Sequence, residues 1–257
     1  MDNSYGLAEL HEQLLVIMDD IDRVCRAHGI KYTLSDGTLL GAVREKGFIP
    51  WDDDMDMRML RSEFERFKPI YNREKRKDFV IGNPCNLATY AVINPNYEIP
   101  GMVKAAGAIT NPWISIFPMD YVSRNKFISA IKATKMRLLS GMLGKPPQYP
   151  YFSEKVRKRW DITDFLGKAV GYKRAEKWFE SSCKKSNNED TGLCSNYTVN
   201  TKWIYVRYPS KFFTSVQDMQ FEDRVYLGST FSDEFLTMEY GDYMTPVKMR
   251  AHIEREA

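Results

Sequence analysis

The sequence predicts an α+β fold, because helical patterns alternate with short strand patterns that are separated by turn residues. Residues 7–28 repeat apolar side chains at helical spacing, and Gly29 ends that pattern. Residues 31–35 and 53–58 alternate apolar and polar side chains, which is typical of strands. Residues 62–76 then return to helical spacing. The first third of the chain therefore predicts a helix, two strands and a second helix.

The rest of the chain divides less sharply into predicted elements. In chain order we predict strand and turn over 79–103, a mostly helical segment over 121–182, an exposed polar loop over 185–200, short strands over 203–231 and a last helix over 232–240. At 257 residues the chain is long enough for one large core, so we expect a single domain over 1–257.

Four aspartates lie within five positions, at Asp52, Asp53, Asp54 and Asp56. Because side chains alternate along a strand, Asp52, Asp54 and Asp56 are predicted to share one face. Asp53 is predicted to face the other way. Carboxylates this close repel one another unless a cation lies between them, and oxygen ligands favour Mg²⁺ or Mn²⁺ over zinc. The run therefore predicts a metal-dependent transferase site.

Two other interpretations of the acidic run compete with a transferase site. A solvated acidic turn is the usual fate of a charge run, but large apolar residues alternate with these acids. An EF-hand calcium loop needs glycine at its sixth position, where this chain has Met57. The flanks also predict strand then helix rather than two helices, so we set the EF-hand aside.

A turn signal, Ser35-Asp36-Gly37-Thr38, precedes the aspartates. Glycine lets the backbone approach a ligand closely, and a helix N-terminus offers free amide donors to phosphate. Thr38 adds a hydroxyl, and Arg44 adds a cation suited to a phosphate oxygen. A Gly-Thr turn close to an Asp-Met-Asp strand is the arrangement of a nucleotidyltransferase palm, a mixed sheet with flanking helices.

The run GTLLGAVREKGFIPWDDDMD closely resembles the signature of the LicD-type phosphotransferases, which include fukutin and fukutin-related protein. The following MLRSEFERF resembles the family's next helix, with Arg61 and Phe64 in matching places. Shorter segments later in the chain also resemble family motifs: ISIFPMD, FED and YGDYMTP. The resemblance therefore extends over nearly the whole chain.

The resemblance implies a nucleotidyltransferase-type α+β fold and a CDP-alcohol donor, with CDP-choline favoured. The phospho-alcohol would move to a hydroxyl of a cell-surface glycan or a teichoic acid precursor, including lipid-linked ones, with release of CMP. By matching position, Asp54 and Asp56 would bind Mg²⁺ or Mn²⁺, with Asp52 as a further catalytic carboxylate on the same face. Gly37 and Thr38 would form the phosphate turn.

The closing motif and the aromatic residues bear on the substrate. Tyr240 and Asp242 in YGDYMTP are expected to contact it. A quaternary ammonium is held by aromatic faces, and the aromatic residues available for this are Trp113, Tyr149, Tyr151, Trp203, Tyr205, Tyr240 and Tyr243. Choline, ribitol, glycerol and ethanolamine all stay open as the alcohol of the donor.

The chain departs from the family pattern at Ser115, where members usually carry aspartate. A third carboxylate from a neighbouring strand completes metal binding in palm-type sites and accepts a proton. Serine is a poor metal ligand and no base at neutral pH. Either Asp120 or Asp52 supplies the third group, and we assign Asp120 to the metal, although a turn residue after Pro118 is an equal alternative.

Basic residues are concentrated in 121–185, which holds sixteen Lys and Arg against five Asp and Glu. A basic helix is predicted over 126–143. Such a segment is either a helical insertion with a solvated basic face, which we favour, or a peripheral contact with an anionic inner membrane surface. The fold class is thus an α+β palm with a basic helical insertion.

Composition excludes several classes of protein. The net charge of +3 does not indicate a nucleic-acid partner. No window has the ~18 apolar residues of a membrane span, and the polar N-terminus is unlike a signal peptide. The cysteines lack the spacing of a zinc site or a disulfide framework. We therefore expect a cytoplasmic enzyme. An NTP-dependent nucleotidyltransferase and, because of Ser115, a non-catalytic nucleotide- or glycan-binding relative are the alternatives.

Overall fold

The computed structural model describes residues 5–82, 89–99, 111–145, 153–185 and 189–246. The helices in these ranges are α1 Ala8–Ala27, α2 Asp36–Arg44, α3 Arg61–Glu74, α4 Lys126–Gly141, α5 Glu154–Val170, α6 Tyr172–Lys184, α7 Lys211–Thr214 and α8 Ser232–Tyr240, with a 3-10 helix at Lys202–Tyr205. The strands are β1 Thr33–Leu34, β2 Met55–Leu60, β3 Val80–Gly82, β4 Tyr90–Ile93, β5 Trp113–Tyr121, β6 Leu193–Asn196, β7 Tyr208–Pro209, β8 Val216–Phe221 and β9 Arg224–Ser229. The predicted α+β class is confirmed.

One mixed sheet organises the fold around β5. Strand β2 runs parallel to β5 and pairs on its other edge with β1. Two strands pair with the opposite edge of β5. Strand β4 pairs with the first half of β5, and β6 pairs with its last residues, Met119 to Tyr121. Strands β8 and β9 form a separate antiparallel hairpin. The β2–β5 pair sets Asp56 directly opposite Ser115.

Helix α1 supplies the predicted inward face of the main core. Leu14, Ile17 and Ile21 are fully buried, and they pack in one cluster with β2 residues such as Met57. Apolar residues three or four positions apart lie on one face of a helix, so burying that face orients α1 against the sheet. Burial of each large aliphatic side chain contributes about 1.5–3 kcal/mol. The helix predicted for 7–28 is confirmed.

A second cluster of buried side chains holds the basic helices together. Met136 of α4 and Phe179 of α6 pack with Tyr197 and Ile204, which follow β6. Val122, the residue after β5, belongs to the same cluster. The helical segment therefore packs on its own apolar centre next to the end of the sheet.

Two predicted segments differ from the structure. The predicted polar loop 185–200 contains strand β6, because pairing with the end of β5 outweighs its poor strand composition. The segment 203–231, predicted as short strands, begins with a 3-10 helix and includes α7 before the β8–β9 hairpin. Tyr149 and Tyr151 lie outside the described residues, as do parts of 79–103 and 121–182.

Candidate active site

A cavity of about 680 Å³ opens beside β2, between the first turn of α2 and the last turn of α8. Its wall includes seven of the nine residues that the sequence predicts for the site, Asp52, Asp54, Asp56, Gly37, Arg44, Tyr240 and Asp242. Asp56 is on β2, and Asp52 and Asp54, which precede the strand, line the same wall. Thr38 and Asp120 are not in that wall.

Two aspartates of the acidic wall and their neighbour Asp53 form a group of carboxylates close enough to share one cation. Oxygens of Asp52, Asp53 and Asp54 all lie within 4.8 Å of one another. Asp53 is buried and outside the cavity wall, yet one of its oxygens joins the group. The three residues precede the hydrogen-bonded part of β2, which begins at Met55, so their backbone is less constrained than a strand. Asp53 is predicted to face away from Asp52 and Asp54. Its burial agrees with that prediction, but the position of its carboxylate oxygen does not.

Asp56 occupies the most unfavourable position for a negative charge in the wall. Burial raises the pKa of Asp56 well above its usual value, and the carboxylates of Asp54 and Asp36 raise it further. The hydroxyl of Ser115 donates a hydrogen bond that acts in the opposite direction. Asp56 therefore needs a cation, either a proton or a metal ion. Ser115 lies at the neighbouring-strand position where the family pattern has aspartate.

Ser115→Ala is expected to move the acidic limb of the pH–activity profile to higher pH. Loss of the hydroxyl removes a hydrogen bond that lowers the pKa of Asp56, so ionised Asp56 becomes available only at higher pH. On the acidic limb the rate should fall about tenfold, as for one hydrogen bond to a charged group. Ser115→Thr keeps the hydroxyl and is the control. An unchanged pH profile in Ser115→Ala would contradict this role.

The first turn of α2 forms the part of the wall next to the aspartates. Helix α2 begins at Asp36, whose φ of 49° reverses the chain direction just before Gly37. Thr38 does not face the cavity: its hydroxyl accepts a hydrogen bond of 2.9 Å from the backbone N–H of Asp56. The prediction that Thr38 contributes a hydroxyl to phosphate is therefore corrected, and Thr38 instead joins α2 to β2.

Gly37→Ala is expected to lower activity by about tenfold or more without unfolding the protein, as small displacements of catalytic groups do. A Cβ at this position would overlap the carboxylate of Asp52, which is the movable end of a side chain. The methyl group should therefore displace that carboxylate while the helix stays intact. Melting temperature and turnover measured on the same sample test this. Gly82→Ala, with open space around its Cβ and no positive φ, is the control for a glycine-to-alanine change without displacement of a neighbour.

Asp120 lies away from the acidic wall, in contrast to its predicted place at the metal. It is fully buried, and both carboxylate oxygens accept hydrogen bonds from Arg61, at 3.0 and 2.9 Å. Asp120 also lies five residues along β5 from Ser115, which is the residue opposite Asp56. This geometry assigns Asp120 to a buried ion pair between β5 and α3. Asp52, by contrast, is in the wall.

An ionic network that the sequence did not predict also lies in the cavity wall. Arg58 pairs with Asp36 at 2.7 Å and with Glu239 at 2.8 Å, and its guanidinium lies over the ring of Tyr208. Burial disfavours the charged guanidinium, but the two carboxylates outweigh burial and raise the pKa of Arg58. A sequence signal existed, because Arg58 is two residues after Asp56 and so belongs to the same strand face.

Arg44, Tyr240 and Asp242, which the sequence predicts as substrate contacts, line the cavity, and Arg44 and Asp242 also have protein partners. Arg44 donates to Glu45 at 2.7 Å and to the carbonyl of Tyr243 at 3.2 Å. Asp242 accepts a hydrogen bond from the hydroxyl of Thr245. Burial raises the pKa of the Tyr240 phenol, so this hydroxyl stays protonated and can donate.

His11 of α1 is a second contact that the sequence analysis missed. Its Nε2 donates a hydrogen bond of 2.7 Å to the backbone carbonyl of Asp52, and its ring stacks on Phe48 at 3.8 Å. Burial lowers the pKa of His11, which favours the neutral ring. No sequence motif includes His11. The apolar pattern of α1 predicts which face is buried, but not that a histidine on that face contacts Asp52.

Comparison with known proteins finds a family similarity over the first half of the chain and a relative similar over most of it. The family described as LicD/FKTN/FKRP, nucleotidyltransferase domain, matches residues 29–132, a range that includes α2, the acidic wall and Ser115. These residues are therefore similar to a LicD family domain. The lipopolysaccharide cholinephosphotransferase LicD of Haemophilus influenzae is 28% identical over 91% of this chain and 91% of its own length. The range matched by the family, 29–132, includes five of the seven predicted residues of the wall.

Shorter similarities lie in two uncharacterized Rickettsia proteins. The protein of Rickettsia typhi is 37% identical over 26% of this chain and 22% of its own length. That of Rickettsia prowazekii is 42% identical over 20% of this chain and 19% of its own length. Among the described residues, no helix combines the length and the apolar character that crossing a membrane requires.

Proposed function

We propose that this chain is a metal-dependent phosphotransferase that moves phosphocholine from CDP-choline to a hydroxyl of a cell-surface glycan, with release of CMP. The observation that carries this proposal is the cavity in which Asp52, Asp54 and Asp56 face the first turn of α2. Support for phosphocholine comes from the similarity to a lipopolysaccharide cholinephosphotransferase. Lipopolysaccharide is accordingly the first acceptor to consider, and teichoic acid precursors, including lipid-linked ones, are the second.

The donor set of the cavity fits Mg²⁺ or Mn²⁺. Asp54 and Asp56, with Asp52, would hold the metal, because they present only oxygen ligands in one wall. Burial and the neighbouring carboxylates raise the pKa of Asp56, and a bound cation would favour its ionised form. Bound there, the metal would reduce the negative charge that develops on the donor's phosphate oxygens. The predicted nucleotidyltransferase-like palm would consist of α2 and the parallel β2–β5 pair.

The chain's own groups would bind the donor and accept one proton. The free amide groups in the first turn of α2 lie beside Gly37 and would donate to phosphate oxygens, with Arg44 nearby. The acceptor hydroxyl would attack the phosphorus that bears the alcohol, and the bond from that phosphorus to the CMP oxygen would break. We assign the proton of the hydroxyl to the carboxylate of Asp52.

Aromatic side chains in the same cavity suit a quaternary ammonium. Trp51, Trp203, Tyr240 and Tyr243 all line it, and the last three belong to the set that the sequence made available. An ammonium over an aromatic face gains ~0.5–2 kcal/mol. CDP-choline should therefore bind better than CDP-glycerol or CDP-ribitol, whose neutral alcohols lack that attraction.

Release of CMP by the purified protein tests this function. A panel of CDP-alcohols is supplied with Mg²⁺ or Mn²⁺, with and without a cell-surface glycan extract, and Asp56→Ala is the blank. Acceptor-dependent release of CMP from CDP-choline, absent in the blank, is expected. Pyrophosphate released from an NTP would instead indicate a nucleotidyltransferase. Metal-dependent donor binding without turnover would favour a non-catalytic protein, and Ser115→Asp would then be tested for restored turnover.

A further inference from the structure

Exposed apolar side chains are concentrated on the basic helical segment. Of the seventeen large apolar side chains that are exposed among the described residues, eleven lie between Phe127 and Tyr205. Four are on α4 and three on α5, which packs against α4. Single exposed apolar residues are normal, but such a concentration on one segment indicates an interaction surface.

Helix α4 has an apolar stripe on the side opposite its core. Phe127, Ile131 and Leu138 are 75%, 57% and 46% exposed, and their spacing of four and seven residues places them on one face. The opposite face is already buried through Ala133 and Met136. Packing in the core therefore does not explain why the outer face of α4 is apolar.

The surroundings of the stripe are basic and aromatic. Helix α4 has four basic residues and no acidic one, and Lys126 and Lys135 among them are exposed. Tyr205 of the 3-10 helix lies beside the stripe, because its hydroxyl is 3.2 Å from the hydroxyl of Thr134, between Ile131 and Leu138 in sequence. Large apolar side chains with Lys, Tyr and Trp around them are the composition that binds the interface of an anionic bilayer.

The stripe is also continuous with the candidate active site. Trp203, two residues before Tyr205 in the same 3-10 helix, is 42% exposed and lines the cavity with the aspartates. A surface that extends from Phe127 along α4 to Trp203 would therefore place the cavity next to whatever covers the stripe.

We propose that the outer face of α4, with Tyr205 and Trp203, docks this protein on an anionic membrane surface. The lysines attract the lipid headgroups, and the stripe enters the region between headgroups and acyl chains. The opening of the cavity then lies near the bilayer, where a membrane-associated substrate is present at high local concentration. Vesicle binding needs neither donor nor acceptor, so this proposal is tested independently of the proposed activity.

Cosedimentation of the full chain with phosphatidylcholine vesicles, with and without phosphatidylglycerol, measures docking. The unaltered protein should bind the anionic vesicles and not the neutral ones. Replacing Phe127, Ile131 and Leu138 together by glutamate should weaken anionic binding by about a hundredfold or more. Lys135→Glu alone removes two units of positive charge. It should weaken binding to the anionic vesicles by about fivefold for each unit.

Matched variants separate docking from other effects. Val80→Glu and Val225→Glu replace exposed apolar residues outside this segment and should leave vesicle binding unchanged. All substitutions are at exposed positions, so melting temperatures should be unaltered. Equal binding by the stripe variant and the unaltered protein would overturn the proposal. So would a dimer in vesicle-free solution that the stripe variant makes monomeric, since a second copy would then cover the stripe.

Discussion

Asp56→Asn and Asp54→Asn are each expected to lower turnover by about a thousandfold, the loss typical of a central electrostatic group. Both side chains lie in the acidic wall, and asparagine keeps the shape while it removes the negative charge that would hold the proposed metal ion. The rate of CMP release at saturating donor and metal measures the effect. Asp78→Asn, at a carboxylate that pairs with Arg76 outside the cavity, is the control.

The same substitution at Asp56 should raise the stability of the metal-free protein. The folded state raises the pKa of Asp56, so it holds the proton more tightly than the unfolded state does. The free energy of unfolding therefore falls as the pH rises from the usual aspartate pKa through the raised pKa of Asp56. Asparagine does not ionise, so the variant does not lose this stability. At neutral pH we expect a melting temperature a few degrees higher, for a gain of ~1 kcal/mol.

Metal-dependent stabilisation distinguishes a catalytic carboxylate from a structural one. Mg²⁺ or Mn²⁺ should raise the melting temperature of the unaltered protein relative to EDTA, and Asp56→Asn should abolish that increase. Asp53→Asn is expected to retain more activity than Asp54→Asn, because Asp53 is outside the cavity wall. Equal losses in both variants would instead make Asp52, Asp53 and Asp54 the metal-binding unit.

Asp120→Asn is expected to destabilise the fold by about 3 kcal/mol or more, the cost of leaving one buried charge without its partner. Asp120 is fully buried, and Arg61, which donates two hydrogen bonds to it, is 3% exposed. Chemical denaturation monitored by circular dichroism measures the free energy of unfolding. Folded Asp120→Asn protein should still be stabilised by the metal ion, because Asp120 is outside the acidic wall.

The double variant Asp120→Leu/Arg61→Met supplies the control for the ion pair. Removing both charges together leaves no unpaired buried group, so the double variant should be more stable than either single variant. The opposite result would contradict this assignment. If Asp120→Asn left the stability unchanged but abolished the stabilisation by metal, Asp120 would be a metal ligand. Both outcomes are read from the same melting curves with and without Mg²⁺.

The sequence alone predicted the α+β class, helices α1 and α8, strand β2 and the acidic wall. These are local properties, because helical periodicity and strand alternation express which face of one segment is buried. The acidic wall follows from alternation at Asp52, Asp54 and Asp56, and the LicD resemblance rests on residues that are contiguous in the chain.

Only the tertiary structure decided the partners of these residues, since contacts between distant segments leave no local pattern. Pairing of β2 with β5 placed Ser115 opposite Asp56, and packing of α3 against β5 enclosed Asp120 with Arg61. The fold also brought Glu239, 181 residues along the chain, to Arg58. A carboxylate in a sequence can face a metal, an arginine or water, and its chemistry depends on which of these the fold places beside it.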